Sequence, residues 1–116
     1  MANMPDWITR FPGAVTVSDR NHVIVYMNDK AAATFKAYGG KDLVGTDLMA
    51  CHQERSRGII ERLLSTGSPN VYTIDKKGVK KLIYQSAWYE DGAAEPAGLV
   101  ELSLELPADM PHYVRS

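Results

Sequence analysis

Cysteine is nearly missing from this chain: Cys51 is the only one among 116 residues. A single thiol excludes an internal disulfide framework and a cysteine-built metal cage, and it suits a reducing, cytoplasmic setting. Long hydrophobic runs are missing as well, and no stretch approaches the roughly 20 apolar residues that would span a bilayer. Residues 1–10 hold Pro5, Asp6 and Trp7 with no apolar core segment, so they do not read as a secretory leader. Nor is there an excess of charge of one sign. Thirteen Lys and Arg face fourteen Asp and Glu, a formal net charge of −1. That balance leaves no electrostatic footprint for nucleic acid or for an anionic membrane surface.

What remains is the composition of an ordinary folded domain, with 45% hydrophobic and 23% charged residues. The length fits one domain with one core, here roughly residues 8–106, followed by an extended or disordered tail over 107–116 that carries two prolines.

The order of elements reads as two strands, helices, then three strands. Ala14 to Ser18 and His22 to Met27 flank the polar turn Asp19-Arg20-Asn21, the pattern of an antiparallel hairpin. Asn28 is placed to cap a helix over Asp29 to Ala37, and Gly39-Gly40 stops it. Lys41 to Ala50 reads as short irregular turns around Gly45. A longer helix runs from about Gln53 to Ser65, its apolar stripe Ile59, Ile60, Leu63 and Leu64 opposing a charged side. Strands are then expected over Asn70 to Asp75, Lys80 to Tyr89 and Gly98 to Leu106. The last alternates cleanly, Val100, Leu102, Leu104 and Leu106 against Glu101, Ser103 and Glu105. The expected fold class is therefore α+β, a five-stranded antiparallel sheet with helices packed on one face. Lys80 to Tyr89 has apolar residues on both faces, so the outer face needs a cover too. A helix over Pro5 to Phe11 or a second copy of the chain in a C2 homodimer would supply it.

In this order and at these spacings the chain resembles a PAS domain. Asp19 to Ala31 (DRNHVIVYMNDKA) is similar to the PAS opening, a strand ending in Tyr-x-Asn before the first helix. Asp42 to Asp47 (DLVGTD) resembles the step before the long helix, and Arg62 to Gly67 (RLLSTG) the end of that helix. Asp91-Gly92 with Gly98-Leu99-Val100 resembles the final hairpin. Met49-Ala50-Cys51-His52 resembles a subgroup with a Cys-His(-Pro) step before the long helix, Gln53 standing where the proline would be.

The resemblance implies a sensory or interaction module in signal transduction or transcriptional regulation, not an enzyme, that binds a small ligand or a protein partner. The ligand would sit between sheet and helices near Met49, Cys51 and His52, with Tyr26, Tyr84 and Trp88 as polar-tipped aromatics to orient it. The cofactor is left open. Haem-binding PAS proteins of the oxygen-sensing kind carry a histidine near the end of the long helix, where this chain has about Glu61. The tyrosine and glutamate partners of the photoactive yellow protein chromophore fall near Met27 and Ala31. Ala50-Cys51-His52-Gln53 does not resemble the flavin-binding LOV motif.

Three alternatives stay open. Cys51 and His52 at a helix start suit a haem or redox sensor, and equally a small core thiol beside a capping residue. A small α+β cavity enzyme would need an inward-facing acid–base pair, and few acids read as inward-facing. His22 and His112 read as surface residues, and Lys76, Lys77, Lys80 and Lys81 as a solvated hairpin that discourages edge pairing. Prolines after Leu106 prevent a helix from continuing directly from the last strand, so the chain reads as a stand-alone module or an excised piece of a longer regulator.

Overall fold

The computed structural model describes residues 4–48 and 54–116. Alternating β-branched residues form β1 (Ala14–Asp19) and β2 (Ile24–Met27), preceded by a one-turn helix α1 (Asp6–Thr9). Between the two strands the Asp19 carboxylate accepts from the backbone N–H of Asn21 and of Val23, at 2.9 and 3.0 Å. That Asx-type turn holds His22 at a positive φ of 68°.

The expected cap is in place: the Asn28 side chain accepts from Ala31 N–H and starts α2 (Asp29–Thr34). The helix is shorter than its alanine content suggests. It passes into 3₁₀ turns over Lys36–Tyr38 and Gly40–Leu43, between which Gly39 takes a φ of 121° that a side chain would resist. The long helix α3 (Glu54–Thr66) lies within a residue of its expected ends. It is followed by β3 (Asn70–Lys76), β4 (Val79–Trp88) and β5 (Gly98–Leu106). The β3–β4 hairpin turns on Lys77 and Gly78, both at positive φ, which matches the right-handed twist of the flanking strands.

All pairings are antiparallel, in the order β2-β1-β5-β4-β3. The last strand therefore lies at the centre, between the first strand and β4. The tail after Leu106 is exposed and has no regular structure. No helix among the described residues is long and apolar enough to cross a membrane.

Hydrophobic clusters occupy both faces. On the inner face, Ala14, Ile24, Met27 and Ala31 pack beneath α2, while Ile60, Leu63 and Leu64 of α3 pack on Leu99, with Leu48 touching both groups. On the outer face, Ile8 of α1 covers Val15 and Val17, joined by Phe11, Trp88, Val100 and Leu102. The expected outer cover is thus supplied by the N-terminal turn itself. Asn28, fully buried, ties the two layers together. Its amide nitrogen donates to the carbonyls of Ile8 and Gly13 at 3.0 and 2.9 Å, and its oxygen accepts from Val15 and Ala31 N–H at 2.9 and 3.0 Å.

Candidate ligand site on the inner face

The register of β1, β5, β4 and β3 fixes which side chains share the inner face. Thr16 is opposite Glu101, Glu101 opposite Gln85, and Gln85 opposite Asn70. Partners paired across a sheet project to the same side, so these four form one polar row of about 14 Å across four strands. All four are half-buried. The Asn70 Nδ2 donates to Gln85 Oε1 at 2.9 Å, and Gln85 Nε2 donates to Glu101 Oε2 at 2.8 Å. Both amides point their donors toward the carboxylate, so the chain of bonds is polarised and ends on Glu101.

The next row belongs to the same surface. Ser103 is opposite Ala14 and Ile83, and Ile83 opposite Tyr72. Burial first, and the Glu101 charge second, push the Tyr72 hydroxyl above the ordinary tyrosine range, so it stays a neutral donor. One step further along β5, Glu105 accepts from Lys30 of α2 at 3.3 Å. The inner face is therefore part wall and part polar shelf.

The alternation of the last strand is as expected, and the structure decides which side meets the helices. Its apolar side, Val100 to Leu106, faces outward, and its polar side, Glu101, Ser103 and Glu105, faces the helices. Alternation shows that two faces differ but not which one meets the helices, and here α1 makes the outer face a second core. The expectation of few inward-facing acids is corrected by the same finding.

The aromatics proposed for the pocket also lie on the outer face. Tyr26 pairs with Val17, Tyr84 with Leu102, and Trp88 with Gly98. Trp88 donates its indole N–H to the Ser18 carbonyl at 2.9 Å. It lies beside Gly98, where a Cβ would run into the Ser18 backbone. Tyr26 is half-buried, and its hydroxyl has no hydrogen-bond partner. Tyr84 is 39% exposed. None of the three shares a surface with α3. Met49, Cys51 and His52 lie outside the described residues, so the Cys-His step is neither joined to these aromatics nor separated from them here. What the outer face does hold is an apolar cavity of about 380 Å³ between α1 and the sheet, walled by Trp7, Phe11, Val17, Trp88 and Leu102 among others.

His22 is not the surface residue expected. Its side chain is only 20% exposed, its Nε2 lies 3.2 Å from Glu61 Oε1, and its Nδ1 is buried without a partner. Glu61, at the position where the oxygen-sensing proteins carry their iron ligand, is thus engaged with the β1–β2 turn. Among the described residues no group of three His, Cys, Asp or Glu side chains is arranged to hold a metal ion.

The polar row could have been found in the sequence only by pairing strands. Thr16, Glu101, Gln85 and Asn70 are unremarkable singly, and only the register of a crossed-over central strand aligns them.

No protein-family profile and no curated protein matches the chain. Solved structures do match in fold. The PAS domain of a protein from Colwellia psychrerythraea aligns over 86% of this chain and 91% of its own, with a TM-score of 0.65 and 12% identity. The Aer2 receptor of Vibrio cholerae, described as a dual PAS-haem oxygen sensor, aligns over 82% of this chain and 95% of its own (TM-score 0.61, 14% identity). The Vibrio cholerae VqmA–ligand–DNA complex aligns over 86% of this chain but only 49% of the VqmA chain (TM-score 0.62, 16% identity). The chain has the fold of a PAS domain.

Proposed function

We propose that this chain is a sensory module that binds a small molecule on the inner face of its sheet and passes the bound state to a partner through the outer face. The observation that carries the reading is the half-buried polar row Thr16–Glu101–Gln85–Asn70, placed on the helix side of a PAS sheet and linked by hydrogen bonds from Asn70 to Gln85 to Glu101. Hydrogen-bonding side chains on a partly covered sheet face orient a ligand at little cost, because they are already partnered. Ligand binding by VqmA and haem sensing by Aer2, as their structures are described, agree with a sensory use of this fold.

Transmission through a homodimer or a signalling partner is supported by the outer face. Val71 and Tyr84, paired across β3 and β4, are exposed there, and the apolar cavity under α1 opens on the same face.

Native mass spectrometry of the freshly purified chain tests the reading. A retained small molecule, released on denaturation and lost when Gln85 and Glu101 are both replaced by alanine, is the expected result. Turnover of a substrate by the chain alone would overturn it in favour of an enzyme. A Soret band that disappears in His52→Ala would move the site to the Cys51–His52 step and make the module a haem sensor. Light scattering over a concentration series tests the dimer, and Tyr84→Glu should shift it toward monomer.

A further inference from the structure

We propose that Glu101 is an anchor for a cationic or N–H-rich group on a small organic ligand, such as an amidine, a primary amine or a protonated nitrogen heterocycle. The proposal rests on the inner face being the ligand site and names the chemistry that site selects.

The argument starts from what Glu101 lacks. Its carboxylate is half-buried on the helix side of the central strand. One oxygen, Oε2, accepts from Gln85 at 2.8 Å, and among the described residues the other has no partner. Three lysines bear on that side: Lys81 stands opposite Glu105, two same-face positions along β4 from the Glu101 partner Gln85, and the other two are engaged. Lys30 pairs with Glu105 at 3.3 Å, and Lys41 donates to the Met27 carbonyl at 2.6 Å and lies 3.8 Å from Asp29. Among the described residues Glu101 has no ion pair. The row feeding it consists of amides whose donors point inward, so Gln85 cannot turn its own acceptor toward the carboxylate without breaking its bond from Asn70. A half-buried carboxylate with an open lone-pair direction is complemented by a donor that carries positive charge, through a short charge-assisted hydrogen bond.

The surroundings favour the same class. Tyr72, held neutral, offers a hydroxyl and an aromatic ring, and the hydroxyls of Thr16 and Ser103 flank Glu101 on the same face. Phosphates and carboxylates would meet the Glu101 carboxylate with like charge, and the inner-face Lys81 stands beside Glu105, away from the Glu101–Gln85 pair. A metal ion would find a single carboxylate there. A flat group with two N–H donors meets an acceptor and neutral hydroxyls.

The test is a titration of the full chain, ¹⁵N-labelled, with three probes of similar size: benzamidine (cationic), benzyl alcohol (neutral) and benzoate (anionic). The side-chain amides of Asn70 and Gln85 are the reporters. Benzamidine is expected to shift both saturably, and Glu101→Gln to weaken it roughly tenfold, the worth of one charge-assisted bond, while leaving benzyl alcohol unchanged. Glu101→Asp keeps the charge but withdraws it by one methylene, and should fall between the two. Equal benzamidine affinity in the wild-type and Glu101→Gln chains would overturn the proposal. So would benzoate or benzyl alcohol moving the reporters while benzamidine does not, although the inner face would then remain a ligand site. If no probe shifts the Thr16, Gln85 or Ser103 signals, both the anchor and the inner-face site fail.

Discussion

The two faces of this sheet are built on opposite plans. The centre of the outer face is built from Val15, Val17, Val100, Leu102 and Trp88, with Ser86 of β4 opposite Val100, and is roofed by a single turn of helix. The inner face has more helix over it and yet carries the row from Thr16 to Asn70. If coverage alone decided composition, the better-roofed side would be the greasier one. Position by position the difference follows burial: Val15 and Val17 are 3% exposed, whereas Thr16, Asn70, Gln85 and Glu101 are half-buried and can carry polar groups at little cost.

Five outcomes would break or sharpen that contrast. The largest are expected at the joint between the faces and in the inner core. Asn28→Ala takes their side-chain partner from two buried N–H groups and from the Gly13 carbonyl at once, and should cost about 3 kcal/mol in urea denaturation, enough to expose α1 to proteolysis. Leu63→Ala, at 1% exposure in the inner core, should cost about 3 kcal/mol by the same measurement, through a cavity that α3 cannot close. Adding polarity to the outer face should be penalised. Val17→Thr, of equal size but with a hydroxyl that has no partner there, should lower stability by about 1–2 kcal/mol in a thermal melt. Removing polarity from the inner face should not be, and Gln85→Met is expected to stay within about 0.5 kcal/mol of wild type. A Gln85→Met loss as large as that of Val17→Thr would make the inner row structural and erase the contrast. The smallest effect is in titration. Because Tyr72 has a raised pKa in the folded chain, its neutral form is favoured by folding, so its contribution is intact below the unfolded tyrosine pKa and is lost as pH rises toward the folded value. Ultraviolet titration, compared between the chain and its Tyr72→Phe variant, should show Tyr72 titrating late, and Glu101→Gln should bring it earlier.

Much of this architecture was legible from residue order. Gly98 to Leu106 is a strand as expected, α3 begins and ends within a residue of its predicted span, and Asn28 caps the first helix. These follow from local chemistry: alternation, an apolar stripe and a side-chain oxygen next to orphan N–H groups. The orientation of β5 was not legible, because parity assigns residues to two sets and only tertiary contacts say which set meets the helices. Tyr26, Tyr84 and Trp88 were misplaced for that reason. An aromatic with a polar tip suits a pocket wall and an outer-face core equally well, and the register with Val17, Leu102 and Gly98 decided between them. His22 was read as a surface residue because its partner, Glu61, lies on a helix far along the chain.

The central position of β5 has a consequence for the order in which the molecule is assembled. β1 has β2 beside it early, but its other edge stays open until the final strand arrives from almost the whole chain length away, Ala14 against Ser103. Until then β1 and β4 each present an unsatisfied edge, and both halves of the outer apolar surface face water. The two incomplete sheets can join only when the last strand is available, and closing that long loop carries a large entropic cost. Truncation within Gly98–Leu106 should leave two sticky halves instead of a smaller domain.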